Sequence, residues 1–151
     1  MKNKFLLFGV IALLTACGHS PDEQSEKREM FDAGLQKVIT SFADPKQGTM
    51  SILYGNSAAR QDVLESAGNI PGEVFTLATW HQIANPRWYG TYINGRVKTV
   101  ETVSILPSLH DNVAVVYHLV KGSAPGDKRG NVISSRDRIN FILSLKPSVF
   151  P

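Results

Sequence analysis

Cysteine occurs once in these 151 residues, at Cys17. A single thiol admits no intramolecular disulfide and no Cys-ligated zinc, so packing and hydrogen bonding alone must hold the fold together. Residues 18–151, 134 in all, are enough for one domain with a hydrophobic core and too few for two.

The surroundings of Cys17 suggest what becomes of its sulfur. Lys2 and Lys4 precede an apolar run from Phe5 to Leu14, and the small residues Thr15 and Ala16 follow, the three-part pattern of a secretory signal. The run of 10 residues falls well short of the roughly 20 that a spanning helix needs. Leu14-Thr15-Ala16-Cys17 matches the lipobox of bacterial lipoproteins, in which small residues expose the bond before a cysteine that carries lipid. The expectation is a signal peptide over 1–16, a lipidated tether over 17–30 and one domain over 31–151. Gly18, with no acidic residue beside it, resembles the sorting context of outer-membrane lipoproteins, so the expected location is the bacterial cell envelope, lipid-anchored and facing the periplasm. Loss of Lys2 and Lys4 takes the 16 basic residues to 14, against 13 acidic, a balance of +1 that removes the electrostatic motive for nucleic-acid binding.

Phe31, Leu35, Val38, Ile39 and Phe42 fall at helical spacing and predict a helix near 28–43, stopped by Asp44-Pro45. Ser20-Pro21-Asp22-Glu23 reads as a capping box ahead of it. A strand is predicted over 49–54, then a short helix capped by Asn56 or Ser57 and ended by Gly68, with Ala59, Val63 and Leu64 inward. Ile70-Pro71-Gly72 is a turn, and 73–80 reads as a central strand with both faces apolar. Two further strands, 96–106 and 112–120, should pair antiparallel, the second nearly continuous in apolar residues as if covered on both faces. Glycines 122, 126 and 130 mark 121–131 as a loop, and Ser134 or Ser135 caps a last helix with Ile139, Ile142 and Leu143 inward.

Chemistry-bearing motifs are sparse. His19, His81, His110 and His118 make no metal-binding spacing, so no metal is expected. No Gly-x-Ser-x-Gly elbow and no phosphate loop is present, and no catalytic residue is assigned. Glu73 with Glu101 is an acid/base pair only if the fold joins them. The densest segment is Trp80 to Gly90, which sets three aromatics and Arg87 around a proline turn. With His118 it supplies the candidate pocket residues Trp80, His81, Arg87, Trp88, Tyr89 and His118.

Met50-Ser51-Ile52-Leu53-Tyr54-Gly55-Asn56 with Ala58 and Ala59, then Pro71-Gly72-Glu73-Val74 leading to Thr79-Trp80, resemble blocks of the cytochrome P-460 family. Asn85 to Gly90, Val100-Glu101 and Ile142 to Pro147 resemble further segments of its short members, so the likeness covers roughly residues 50–151. The resemblance implies an α+β fold, a mainly antiparallel β-sheet flanked by N-terminal and C-terminal helices, often dimeric and enclosing a pocket. In haem-bearing members that pocket holds haem through C-x-x-C-H and a lysine cross-link, and hydroxylamine is oxidised there. No cysteine follows Cys17, so that attachment is excluded. Two expectations remain open. One is a haem-free binding or accessory module; the other is a redox enzyme holding haem non-covalently, with His81 or His118 as axial ligand.

Overall fold

The computed structural model describes residues 28–65, 68–108, 113–126 and 130–147. The signal sequence, Cys17, His19, the Ser20 capping box and His110 lie outside the described residues. Five strands form one antiparallel sheet in sequential order: β1 (Lys37–Asp44), β2 (Thr49–Gly55), β3 (Val74–Ala84), β4 (Tyr92–Pro107) and β5 (Val113–Lys121). Among the described residues two helices, α1 (Ser57–Glu65) and α2 (Ser135–Ser144), accompany the sheet in an α+β arrangement that is mainly sheet. Among the described residues no helix is long and apolar enough to cross a membrane.

Strand alternation sorts the residues into two clusters. One face of the sheet presents Leu53, Phe75, Leu77, Val103 and Ile105, and the helices close over it with Ala59 and Ile142. On the other face Ala78, Trp80, Val97 and Val100 form a smaller cluster, covered by Phe31. β3 lies in the middle of the sheet and is buried along most of its first seven residues, as its doubly apolar pattern predicts.

The helix predicted near 28–43 is not formed. Residues 28–36 cross the second face as an extended strap, and 37–44 is the edge strand β1. Asp32 Oδ1 accepts from the Gly34 amide at 2.8 Å, and Gly34 sits at φ +59, a turn that interrupts any helix. Beyond it the β-branched run Val38-Ile39-Thr40 favours extended backbone, and pairing with β2 satisfies its amides. Phe31 and Phe42 do find apolar neighbours, but on opposite faces of the sheet. Asp44 Oδ1 then accepts from the Lys46 and Gln47 amides and turns the chain into β2.

The C-terminal helix forms as expected. Ser134 Oγ accepts from the Asp137 amide and caps α2, which turns Ile142 into the core. Asn56 caps α1: its Oδ1 accepts from the Ala59 and Val74 amides while Nδ2 donates to the Gly72 carbonyl, tying the helix to the start of β3. Leu64, predicted inward, is exposed, because α1 touches the sheet only through the stripe of Ala59 and Val63. β5 is an edge strand rather than one covered on both faces. Its Val115 and Tyr117 pack inward, and Val120 is 66% exposed.

Candidate functional site

A cavity of about 410 Å³ opens between the sheet and the N-terminal half of α2. That volume lies in the range of small-molecule sites. The floor comes from three adjacent strands, Thr49 and Ser51 of β2, Thr79 of β3 and Thr99 of β4. Their hydroxyls share one face because they occupy alternate positions of paired strands: Ser51 opposes Thr79, which opposes Thr99. Ser51 Oγ and Thr79 Oγ1 lie 2.9 Å apart in a hydrogen bond.

The inner wall is ionic. Glu101 of β4 is 0% exposed, and Arg138 of α2 meets it with two parallel bonds, Nε to Oε1 and the terminal nitrogen to Oε2, each 2.7 Å. Tyr117 donates its hydroxyl to the same Oε1 at 2.8 Å. Burial first, then that bond to the Glu101 carboxylate, pushes the Tyr117 phenol up to about 12. The guanidinium also lies 4.8 Å from the centroid of the Phe141 ring, which packs edge-on against Phe42. The cap at Ser134 fixes the first turn of α2 and with it the approach of Arg138. Two of the five N–H groups of a guanidinium are engaged by Glu101, and the Arg138 side chain keeps 13% of its surface exposed where it borders the cavity.

The lip is the loop after β5. Gly122 adopts φ +87, and a Cβ there would lie 2.1 Å from the Lys98 carbonyl oxygen, so the loop can fold over β4 only with glycine at this position. The Pro125 carbonyl accepts from the Ile133 amide and closes the loop onto the start of α2. Lys98 and Asp44 also border the space. Together with Arg138 and Glu101 they make its charged lining formally neutral.

None of the six candidate pocket residues lines this cavity. Trp80 is buried on the opposite face of the sheet, where its indole N–H donates to the Glu29 carbonyl at 2.9 Å. His81 is exposed opposite Thr49 of β2. Arg87, Trp88 and Tyr89 form the exposed tip of the β3–β4 hairpin, and His118 is exposed on β5. Glu73 and Glu101 are both buried but do not form a dyad. The Glu73 carbonyl bonds the Ile105 amide, four residues from Glu101 along β4, or ~13 Å by strand rise.

The residues missed at the sequence level are Ser51, Thr79, Lys98, Thr99 and Arg138. One signal was available: Glu101 is the one acidic residue of β4, and Arg138 lies one turn before Ile142 on the stripe that faces the sheet. Among the described residues no group of three or more His, Cys, Asp or Glu side chains could hold a metal ion. Comparison with known proteins brings no relative to bear: no protein-family model matches the chain, and no curated protein matches it.

Proposed function

We propose that this chain is a bacterial lipoprotein, anchored through Cys17 and facing the periplasm, whose single P-460-like domain is a haem-free binding module for a small polar molecule. The cavity carries this reading. It has a row of hydroxyls to accept and donate hydrogen bonds, apolar walls to exclude water, and a buried acid and base that already neutralise each other. A ligand without a large net charge suits such a lining. The anchor reading is supported by the order Lys2, Lys4, apolar run, Leu14-Thr15-Ala16-Cys17. The α+β architecture, with its mainly antiparallel sheet and C-terminal helix, is compatible with the P-460 resemblance.

Haem, which that resemblance implies, does not fit the residues present. Neither His81 nor His118 borders the cavity, and no cysteine or methionine does. Among the described residues the redox reading therefore lacks, at this cavity, the histidine ligand it requires.

Titration of the purified acylated protein with haem, followed by visible absorbance, tests the proposal together with thermal melts in glucose, glycerol and glycine. Haem is expected to give no stoichiometric Soret band, while a fitting solute raises the melting temperature in wild type and not in Thr79→Val. At a concentration of 100 times Kd the gain is about 2.7 kcal/mol. A stoichiometric Soret band that disappears in His81→Ala or His118→Ala would overturn the reading.

A further inference from the structure

The β3–β4 hairpin outruns its neighbours. Pairing of β2 with β3 stops at Thr49 and His81, and pairing of β5 with β4 stops at Lys121 and Val100, while β3 and β4 continue to Ala84 and Tyr92. The Gln82 amide still donates to the Gly48 carbonyl at 2.8 Å, and beyond it residues 83–93 project as a two-stranded arm. At its end Trp88 is 71% exposed, and Tyr89 and Tyr92 are exposed beside Arg87. Asn85 Oδ1 accepts from the Arg87 amide, and Thr91 donates its hydroxyl to the Trp88 carbonyl, so the tip is an ordered turn that presents these side chains outward.

Three large aromatics exposed together need an occupant. Charge narrows the choice. No acidic residue occurs between Glu73 and Glu101, whereas Arg87, Arg96 and Lys98 all lie in that interval. Tryptophan, tyrosine and arginine without acids is the composition of a surface resting at the headgroup level of an anionic bilayer.

The path of the chain narrows it further. The strap reaches the base of the arm: the Glu29 amide donates to the Gly95 carbonyl at 2.9 Å, and the Val97 amide donates to Glu29 Oε2 at 3.0 Å. Glu29 lies twelve positions after Cys17, a contour of at most about 40 Å. The tip stands six residues beyond Gly95, about 20 Å along a strand. A bilayer holding the lipid on Cys17 is thus within reach of the tip.

We infer that the arm is a second membrane contact, in which Trp88, Tyr89 and Tyr92 enter the headgroup region of an anionic bilayer while Arg87 meets phosphate. The inference rests on the anchoring of Cys17 proposed above. One lipid-anchored point leaves the domain free to tumble at the end of a tether, and a second fixes its orientation.

The full acylated chain, reconstituted into vesicles of phosphatidylethanolamine and phosphatidylglycerol, provides the test. Of the two tryptophans, Trp80 is 4% exposed and Trp88 is open, so quenching by brominated phosphatidylglycerol reads the arm and the Trp88→Phe variant isolates it. The Trp88 emission is expected to fall about twofold, with a matching loss of iodide accessibility. Arg87→Glu should weaken both effects without releasing the protein from the vesicles. Flotation and the N-terminal mass report the anchor separately. A chain that floats with acyl mass but leaves Trp88 unquenched and open to iodide overturns the arm contact alone; a chain without acyl mass overturns the anchor and the arm contact that rests on it. Trp88 shielded in native envelope membranes yet open on pure lipid would assign the arm to a protein and overturn the lipid contact.

Discussion

Replacing Arg138 with methionine removes the cation that faces Glu101 while keeping most of the volume beside Phe141. The carboxylate left behind is 0% exposed in the folded chain and loses its two bonds to the guanidinium. Removing one partner of a buried pair costs about 3–5 kcal/mol, chiefly because the other charge is left uncompensated. Tyr117 still donates to Oε1, and one retained hydrogen bond to a charged group offsets about 1 kcal/mol or more of that loss. The net expectation is a loss of about 2–4 kcal/mol, or on the order of 10–15 °C in melting temperature for a domain of this size. In the double variant Glu101→Gln/Arg138→Met no charge remains, and the amide oxygen can still accept from Tyr117. Its stability should return to within about 1 kcal/mol of wild type, since neutral replacement of buried pairs is often tolerated. Glu101→Gln alone should be milder than Arg138→Met, because the guanidinium keeps a path to water through the cavity. Urea unfolding followed by circular dichroism across the four proteins gives the cycle. A loss below about 1 kcal/mol for Arg138→Met, the scale of a solvated surface pair, would refute the reasoning. A double variant no more stable than the single would do the same.

Other outcomes follow from the titratable groups of the fold. Burial, reinforced by the neighbouring Asp62 carboxyl, raises the Glu73 carboxyl above its usual range, and neither of its oxygens has a hydrogen-bond partner. The native state favours the protonated acid, so its contribution is complete below the ordinary carboxylate range and is lost as pH rises through the raised value. Glu73→Gln should therefore stabilise at pH 8 by about 1–3 kcal/mol and by less near pH 4, read from urea midpoints. The phenol of Tyr117 also favours its protonated form, so stability falls between pH 10 and about 12; an alkaline melt series should show that fall reduced in Tyr117→Phe. Glu29 behaves in the opposite sense. Its bond with Lys121, then the Val97 amide, holds its carboxyl below the usual range, so the strap's grip is complete at neutral pH and is lost as pH falls through the lowered value. Hydrogen exchange at the Val97 amide should lose protection in acid before the β2–β3 amides do, and an order reversed from this would contradict the strap's role.

Much of the framework was legible because it is local. The strand predictions for β2 to β5 rest on alternation between turn signals; the structure keeps the turn at Pro71-Gly72, while Pro107 closes β4 and the connection beyond Ser108 to β5 lies outside the described residues. The stretch 28–43 reads as a helix because Phe31, Leu35, Val38, Ile39 and Phe42 satisfy a helical spacing, and the competing preference of Val38-Ile39-Thr40 for extended backbone wins only once β2 supplies a partner. β5 differs from its expected two-sided burial because an apolar run does not reveal whether a second layer covers it. The cavity was hidden for another reason. Ser51 and Thr79 lie 28 positions apart, and Glu101 and Arg138 lie 37 apart, so neither pair leaves a motif in the chain. The aromatic segment 80–90 stands out in the sequence by density alone, and its members divide between a buried anchor for the strap and an exposed arm.

The ion pair from Glu29 to Lys121 spans 92 positions of a chain whose strands otherwise pair with their immediate neighbours. A meander of this kind can zip up hairpin by hairpin, closing only short loops at each step. The strap cannot join that sequence, because its docking surface is assembled from the last strand as well as the middle ones. The first part of the domain to be made is thus the last to settle. Until it does, the indole of Trp80 stays uncovered and the newly made molecule carries an adhesive patch on its open side.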